Sequence, residues 1–272
     1  MTDNSQFIDL IRYSPMLDAL CEEDLDRKEL EQRLEISRAT SHRRTKALIE
    51  QDLIEGTFAL TELGTTMVEV VIEFKKGTQT ASVLAPVLEA IPDNAPDIDI
   101  TDFTDATVTT AGPGDPYRGV NRFMSLVRET DTLRGLAPSM IDPRHVDEFY
   151  ARICKGLTTS AVFPLEVIEN LFDPNPERAK EIFESGNLTL RTHADMPFGL
   201  TLCDERIGIS IYDIETGLLW RYIDTDAPTA YEWAEDFYAF YWAEAESLNW
   251  LGDCTNEPDK RGDDFLDMEH SR

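Results

Sequence analysis

Hydrophobic positions recur with helical spacing through the first part of the chain. They run from Phe7 to Leu20, and the Ser14-Pro15 pair among them predicts a first helix that is kinked or split in two. A second helix is predicted near 25–34. Ser37, a favoured N-cap residue, then precedes a third helix that runs to about Asp52. These patterns predict three consecutive helices.

A short hairpin and a fourth helix are predicted next. Residues 53–61 are predicted to form two short extended segments on either side of Gly56-Thr57. Another helix is predicted to begin at Thr61-Glu62-Leu63-Gly64. Two helices joined by a tight turn and followed by a hairpin are typical of a winged helix-turn-helix, whose second helix enters the DNA major groove. The apolar stripe of the fourth helix must be covered, either within the chain or in a dimer. It comprises Met67, Val70, Val71 and Phe74.

The pattern alternates between strands and helices beyond residue 105. Strands are predicted at 106–110, 133–137, 158–163 and 188–193, with helices at 116–129, 144–155, 164–170 and 176–185 between them. This order predicts an α/β domain with a largely parallel sheet. A hairpin at 198–212, a strand at 217–223 and an aromatic-rich helix at about 227–250 complete it, and we expect that helix to pack in the core.

The length of 272 residues favours two domains. Residues 1–65 are predicted to form the DNA-binding winged helix-turn-helix, an α+β unit. Residues 66–105 form a connecting helix and a linker rich in proline and aspartate. Residues 106–251 form an α/β sensor or oligomerisation domain, and residues 252–272 a disordered tail.

The charge of the chain is strongly negative. It has 53 acidic and 25 basic residues, a formal net charge of −28. Such self-repulsion destabilises a compact state in dilute buffer and is screened by molar salt, so the composition favours a protein of a salt-loving cell over an ordinary acidic one.

One basic segment interrupts this acidity. Between Arg33 and Lys46 there are five basic residues and a single acidic one, Glu35. The segment coincides with the predicted recognition helix, where arginine can read guanine and hydroxyl groups can position the backbone. The candidate DNA-binding residues are Ser37, Arg38, Thr40, His42, Arg43, Arg44 and Lys46.

The first part of the chain resembles archaeal and bacterial winged-helix regulators. The resemblance rests on Leu34-Glu35-Ile36-Ser37-Arg38-Ala39-Thr40-Ser41-His42-Arg43, on Leu48 to Leu53-Ile54, and on Leu60-Thr61-Glu62-Leu63-Gly64. Ser41 and Thr45 stand where core aliphatic residues are usual, Asp52 stands where a glycine commonly ends the helix, and the wing carries Glu55 without Lys or Arg. The resemblance therefore implies a loosely packed module whose wing contributes little electrostatic attraction to DNA.

The second part resembles the sensor domain of archaeal regulators related to the methanogenesis-regulator family, itself similar to a phospholipase-D-like half. The resemblance rests on the order of elements and on Pro197-Phe198-Gly199-Leu200, Asp204, Gly208-Ile209 and Leu219-Trp220. Phospholipase-D enzymes use a His-x-Lys motif. His145-Val146-Asp147 and His193-Ala194-Asp195 lack that lysine, so the resemblance implies a non-catalytic relative.

A ligand site is predicted at one edge of the sheet. Open α/β sheets bind ligands outside the carboxyl ends of their strands, which here points to Gly112, Ser139, Phe163 and His193. Gly112-Pro113-Gly114 has no Gly-Lys-Ser/Thr after it and is read as a turn. Each of the four candidates also has a plain interpretation as a loop or core residue.

Other chemistry is not indicated. The four cysteines are scattered without metal-ligand spacing and are read as reduced thiols, and we expect no metal or cofactor. The chain begins without a signal-peptide pattern and is expected to be cytoplasmic, without membrane contact.

The leading hypothesis is a dimeric, sequence-specific regulator that binds double-stranded DNA and has a C-terminal domain for sensing a small-molecule effector or for oligomerisation. Two alternatives remain: a winged-helix adaptor that binds a protein, and a phosphodiesterase-like enzyme with a DNA-binding arm.

Overall fold

The computed structural model of the chain describes residues 4–248 except Thr57, Ile141 and Ile214, without the side chains of residues 4–7. It divides into two compact units, 1–83 and 84–272. The boundary falls within the segment 66–105 that the sequence predicts as the connection. The predicted disordered tail, 252–272, lies outside the described residues, as does Cys254. None of the described helices combines the length and the apolar character needed to cross a bilayer.

The first unit is helical. Its elements are α1 (Asn4–Glu22), α2 (Arg27–Arg33), α3 (Arg38–Glu50) and α4 (Glu62–Ala90), the last of which extends into the second unit. A buried apolar cluster from all four helices and the α3–α4 loop holds the unit together, with Met16, Leu17, Leu30 and Leu48 at its fully buried centre. Burial of these side chains is the main favourable contribution to its folding.

The first helix is continuous, so the expectation of two pieces is wrong. Pro15 cannot donate a backbone hydrogen bond to the carbonyl of Ile11, four residues before it. The buried hydroxyl of Ser14 donates to that carbonyl instead, at 2.9 Å. The residue beside the proline therefore satisfies the acceptor that the proline leaves open.

The second unit is built on one eight-stranded sheet. Its strands are β1 (Thr107–Thr110), β2 (Thr132–Leu136), β3 (Thr158–Phe163), β4 (Leu188–Thr192), β5 (Gly199–Leu202), β6 (Ile207–Tyr212), β7 (Leu219–Thr225) and β8 (Glu246–Ser247). The spatial order is β1-β7-β6-β5-β2-β3-β4-β8. Only the pairs β2–β3 and β3–β4 are parallel.

The predicted largely parallel sheet is therefore wrong, and the sheet is mostly antiparallel. Parallel pairing occurs where helices connect neighbouring strands, which here is only from β2 to β4. The chain then passes through tight turns from β5 to β7, which makes those pairs antiparallel. β1 pairs with β7 at the far edge instead of beside β2.

Helices cover both faces of the sheet. The helices of this unit are α5 (Arg118–Glu129), α6 (Val146–Cys154), α7 (Leu165–Phe172), α8 (Pro176–Glu184) and α9 (Pro228–Glu244), with short 3-10 helices at Ile100–Phe103 and Pro143–His145. α9 packs on β2, β5 and β6, and Phe237 stacks on Phe198 at 5.1 Å between ring centroids. The aromatic helix is thus part of the core, as expected, although it ends at Glu244 and is followed by β8.

The segment expected to be a linker is packed in part against α9. The side chain of Phe103 is buried and meets Trp233 edge to face at 5.8 Å. The indole of Trp233 donates to the carbonyl of Pro96 at 3.2 Å, and Thr229 donates to the carboxylate of Asp102 at 2.6 Å. Residues 96–103 therefore belong to the second unit.

Candidate nucleic-acid interface and ligand cavity

α2 and α3 are joined by a four-residue turn. Asp26 caps α2 in a reciprocal capping box with Glu29. α2 ends with the amide of Ile36 donating to the carbonyl of Glu31 at 3.1 Å, which places Glu35 at a positive φ of 51°. Ser37 then starts α3, and its hydroxyl accepts from the amide of Thr40 at 3.2 Å. The capping prediction for Ser37 is confirmed.

α3 has one buried face and one exposed face. Ser41, Thr45 and Leu48 are buried, whereas Arg38, His42, Arg43 and Lys46 are exposed and Arg44 is half-buried. Exposed residues 38, 42 and 46 follow one another at a spacing of four and form a single stripe. We call the exposed residues Arg38, His42, Arg43 and Lys46, together with half-buried Arg44, the α3 face.

The arginines of the α3 face have no acidic partner among the described residues. Lys46 lies 3.6 Å from Glu50, an exposed pair one turn apart on the same helix. The neighbouring Arg33, by contrast, is bound to both Glu22 and Glu23 of α1. Arg33 therefore serves to hold the fold, while Arg38, Arg43 and Arg44 are available to bind anions.

Two expected departures from the usual winged-helix pattern are visible in the structure: the polar residues inside α3 and Asp52 directly after it. The buried hydroxyls of Ser41 and Thr45 have no hydrogen-bond partner within the described structure. Asp52 adopts a positive φ of 58° directly after the helix, in the left-handed region where glycine is favoured. Both features reduce the stability of the unit.

A minimal hairpin connects α3 to α4. Ile54 and Leu60 form one antiparallel bridge, and the amide of Glu55 donates to the carbonyl of Ala59 at 2.7 Å. Thr61 then caps α4, accepting from the amide of Gly64 at 2.9 Å. A Cβ at Gly64 would lie 1.9 Å from the carbonyl oxygen of Leu53, so only glycine permits this approach.

A cavity of about 600 Å³ lies on the sheet face opposite α9. Its floor is formed by small residues on neighbouring strands: Gly135, Ala161, Gly199 and Ser210. Its walls carry aromatic side chains of α5 and α6, where Phe123 and Phe149 stack with ring centroids 6.1 Å apart. Ala161 and Ser210 have short side chains. A Cβ at Gly135 would lie 2.6 Å from the carbonyl oxygen of Leu200, and a Cβ at Gly199 would lie 2.8 Å from Ser210 Cβ, so neither glycine position accommodates a larger residue.

The charged side chains that line the cavity are all neutralised by partners. The guanidinium of Arg178 lies 2.5 Å from a carboxylate oxygen of Asp147. Arg134 borders the cavity, but its guanidinium lies on the α9 side of the sheet, 2.6 Å from Glu235. Asp142 accepts two hydrogen bonds from the side chain of Arg144, which lower its pKa. Burial raises the pKa of the Tyr212 hydroxyl to about 12, so that group stays neutral near pH 7.

The predicted ligand residues are only partly brought together. Ser139 and Phe163 line the cavity, but Gly112 and His193 do not. Gly112 forms a tight turn with Asp115. His193 packs edge to face on Tyr241 of α9, with its Nε2 atom 3.9 Å from Glu244. The edge rule assumes a parallel sheet, and β1, which precedes Gly112, pairs antiparallel with β7 at the far edge. His193 is next to Phe163 in the backbone, but its ring lies on α9.

Sequence reasoning missed the cavity floor. A signal was present, because Gly135 and Gly199 lie in strands, where glycine marks a close approach of the backbone. Cys21, Cys154 and Cys203 are free thiols. Within the described residues there is no group of three or more His, Cys, Asp or Glu residues placed to hold a metal ion.

Two family models match this chain, one in each part. Residues 116–244 match the model for the middle domain of the methanogenesis regulatory protein FilR1. The C-terminal domain is similar to a regulator domain. Residues 2–82 match the model for the HVO_A0261 N-terminal domain. The predicted resemblance to the methanogenesis-regulator family is confirmed for residues 116–244, and this match supports the prediction of a transcriptional regulator.

Three solved structures show distant likenesses. TrmBL2, described as an archaeal chromatin protein with a novel mode of DNA binding, is 13% identical over 87% of this chain and 94% of its own, with a TM-score of 0.43. Nuc from Salmonella typhimurium, a phospholipase D family member, is 16% identical over 53% of this chain and 98% of its own, at 0.41. NucT from Helicobacter pylori is 9% identical with the same coverage, also at 0.41. No curated protein matches the chain.

Proposed function

We propose that this protein is a sequence-specific, DNA-binding transcriptional regulator whose N-terminal winged helix-turn-helix, residues 1–65, reads DNA through the α3 face. One observation carries the proposal. In a chain with 53 acidic and 25 basic residues, three arginines of a single helix have no carboxylate partner in the described structure. Phosphate neutralisation by Lys and Arg supplies most of the affinity of such proteins for DNA.

The roles within the site follow from position on α3. Arg38 and Thr40 lie in the first turn, which enters the major groove first, and Ser37 fixes that turn by capping it. His42 and Arg43 lie one turn further along, within reach of base edges, while Arg44 and Lys46 meet phosphates. The half-buried Thr40 contacts the DNA backbone and thereby positions the helix.

The regulator acts as a homodimer. α4 exposes Leu63 and Val70, two turns apart on one side of the helix, while Val68 and Val71 face the core. An exposed apolar stripe on a helix is stabilised when a second copy covers it. A two-fold dimer presents two α3 helices to a palindromic site on double-stranded DNA.

The C-terminal domain, residues 106–251, senses a small-molecule effector through the cavity that Ser139 and Phe163 help to line. It is not an enzyme, because its two His-x-Asp sequences lack the lysine of the phospholipase-D motif. Residues 66–105 connect it to the DNA-binding domain. The protein works in the cytoplasm of a haloarchaeon, where molar salt screens its net charge.

The test is DNA binding by the full chain in molar potassium chloride. Genomic fragments are titrated with wild type, with Arg38→Ala/Arg43→Ala, and with Arg12→Ala/Lys28→Ala as a control of equal charge. We expect the α3 variant to lose selective binding by roughly tenfold or more per guanine contact, with a shallower salt dependence.

The control variant removes two exposed cations of the same unit, from α1 and α2. It should keep the wild-type ranking of fragments. Equal losses in both variants would mean that only bulk charge matters and would contradict sequence reading by α3. A folded dimer without any selective binding would favour the protein-binding adaptor.

A further inference from the structure

We infer that the cavity on the sheet face opposite α9 binds a neutral, predominantly apolar small molecule. The role of that molecule as an effector rests on the proposed function, but its binding does not. The cavity volume of about 600 Å³ lies within the range of sites that enclose small molecules.

The cavity exists because small residues occupy particular positions on the strands. Residues at alternate positions of a strand face the same side of the sheet, and on this side they are small on four neighbouring strands. They are Gly135 of β2, Ala161 of β3, Gly199 of β5 and Ser210 of β6. The packed interior elsewhere in this unit contains large side chains such as Tyr222, Phe237 and Met124.

The electrostatics exclude a charged ligand. Among the lining residues, Asp142 and Arg178 carry charge, and each has a partner of opposite sign. The guanidinium of Arg134 binds Glu235 of α9 on the other face of the sheet. An anion inside the cavity would find no free cation, and burying an unpaired charge is costly. A cation would likewise have to compete with Arg144 for Asp142.

Neutral polar groups lie at the sheet side of the cavity. The hydroxyls of Thr159, Thr201, Ser210 and Tyr212 are all on lining residues. Neutral hydroxyls can donate to or accept from a carbonyl or hydroxyl of a ligand. The aromatic pair Phe123 and Phe149 offers a flat apolar wall. The ligand class is thus apolar and ring-containing or aliphatic, with few neutral polar groups.

The test compares two fluorescent probes that differ in charge. N-phenyl-1-naphthylamine is neutral, and 8-anilinonaphthalene-1-sulfonate has the same ring system with a sulfonate. Each is titrated into the full chain in molar potassium chloride. We expect saturable binding of the neutral probe and an affinity for the sulfonate weaker by on the order of tenfold or more.

Two variants test whether the neutral probe binds inside the cavity. Ala161→Phe fills the floor, and Thr189→Phe adds the same ring on the exposed side of neighbouring β4 as a control. We expect the first to lose affinity for the neutral probe by roughly tenfold or more and the second to keep it. Circular dichroism checks the fold, and if Ala161→Phe does not fold, Val120→Trp on α5 decides in its place.

Two results would overturn the inference: equal binding of the neutral probe by filled and control variants, or a sulfonate affinity equal to that of the neutral probe. DNA binding by the same wild-type preparation is measured separately. Selective DNA binding without binding of the neutral probe rejects only the cavity inference. Binding of the neutral probe without selective DNA binding rejects only the proposed function.

Discussion

The arginines of the α3 face and several arginines of the second unit differ in their partners. In the second unit, guanidinium groups bind carboxylates across the fold: Arg122 and Arg206 both bind Asp224, and Arg128 binds Glu148 with two hydrogen bonds. In the first unit, the described structure gives Arg38, Arg43 and Arg44 no such partner. The arginines of the α3 face therefore keep a charge that is available to a ligand, whereas Arg122, Arg128 and Arg206 use theirs to hold the second unit together.

The units also differ in how many of their buried polar groups have hydrogen-bond partners. The second unit encloses the charged group of Asp224 completely, with hydrogen bonds from Arg122 at 2.9 and 2.6 Å and from Arg206 at 3.1 Å. These bonds to Asp224 raise the pKa of Arg122. Among the described residues, the first unit leaves five buried side-chain atoms without partners, including the hydroxyls of Ser41 and Thr45, and the second unit leaves two, in Arg152 and Tyr222. We expect the first unit to unfold more readily.

The largest effect is expected on removing the buried carboxylate of the second unit. Asp224→Ala leaves Arg122 and Arg206 without their shared partner, and breaking such a buried pair costs about 3–5 kcal/mol. Residues 1–83 contain no tryptophan, whereas Trp220, Trp233 and Trp242 lie in the second unit, so urea unfolding followed by tryptophan fluorescence reports on that unit.

Asp226→Ala is the matched control for that experiment. Its carboxylate is largely exposed and binds only Arg206, at 3.1 Å. Exposed pairs contribute little, so the urea midpoint should barely move. An equally small change for Asp224→Ala would mean that the buried arrangement is not what stabilises the second unit.

A gain in stability is expected on removing the unpaired hydroxyls of the first unit. Ser41→Ala/Thr45→Val replaces two buried, unsatisfied groups with apolar ones, and each such group costs about 1–3 kcal/mol. Hydrogen exchange of the α3 amides measures the change. Thr66→Val, which removes an exposed hydroxyl bonded to the carbonyl of Glu62, should leave exchange unchanged.

A smaller gain is expected where the backbone is left-handed. Asp52→Gly and Glu35→Gly place glycine at φ values of 58° and 51°, which other residues adopt at a cost of about 1–2 kcal/mol, offset in part by the greater entropy of the unfolded chain. Thermal unfolding followed by helical circular dichroism should show a modest rise for each. Glu50→Gly, inside α3, should lower the midpoint instead.

Local patterns predicted the elements of this protein well and their pairing poorly. Ser37, Ser41, Thr45 and Asp52 have the positions that the helix-turn-helix pattern assigned to them, because caps, helix faces and helix ends depend on neighbouring residues. The partner of β1 is β7, more than a hundred residues away, and no local pattern encodes that choice.

The candidate ligand site shows the same limit. Ser139 and Phe163 line the cavity, whereas Gly112 follows β1, which pairs with β7 at the far edge of the sheet. His193 lies beside Phe163, and its amide donates to the Phe163 carbonyl at 3.2 Å, but its ring packs on Tyr241 of α9. The cavity depends on which strands are neighbours. Gly199 and Ala161 become parts of one floor only after long-range pairing has formed.

The ends of the sheet have a consequence for self-association. Unpaired strand edges invite pairing with other chains, and proteins limit this with short edge strands. One edge strand, β1, has four residues and the other, β8, has two. β8 pairs with Arg191 and Thr192 of β4, so deleting Glu246–Ser247 would open that edge of β4. A two-residue strand thus protects the sheet from edge-to-edge aggregation.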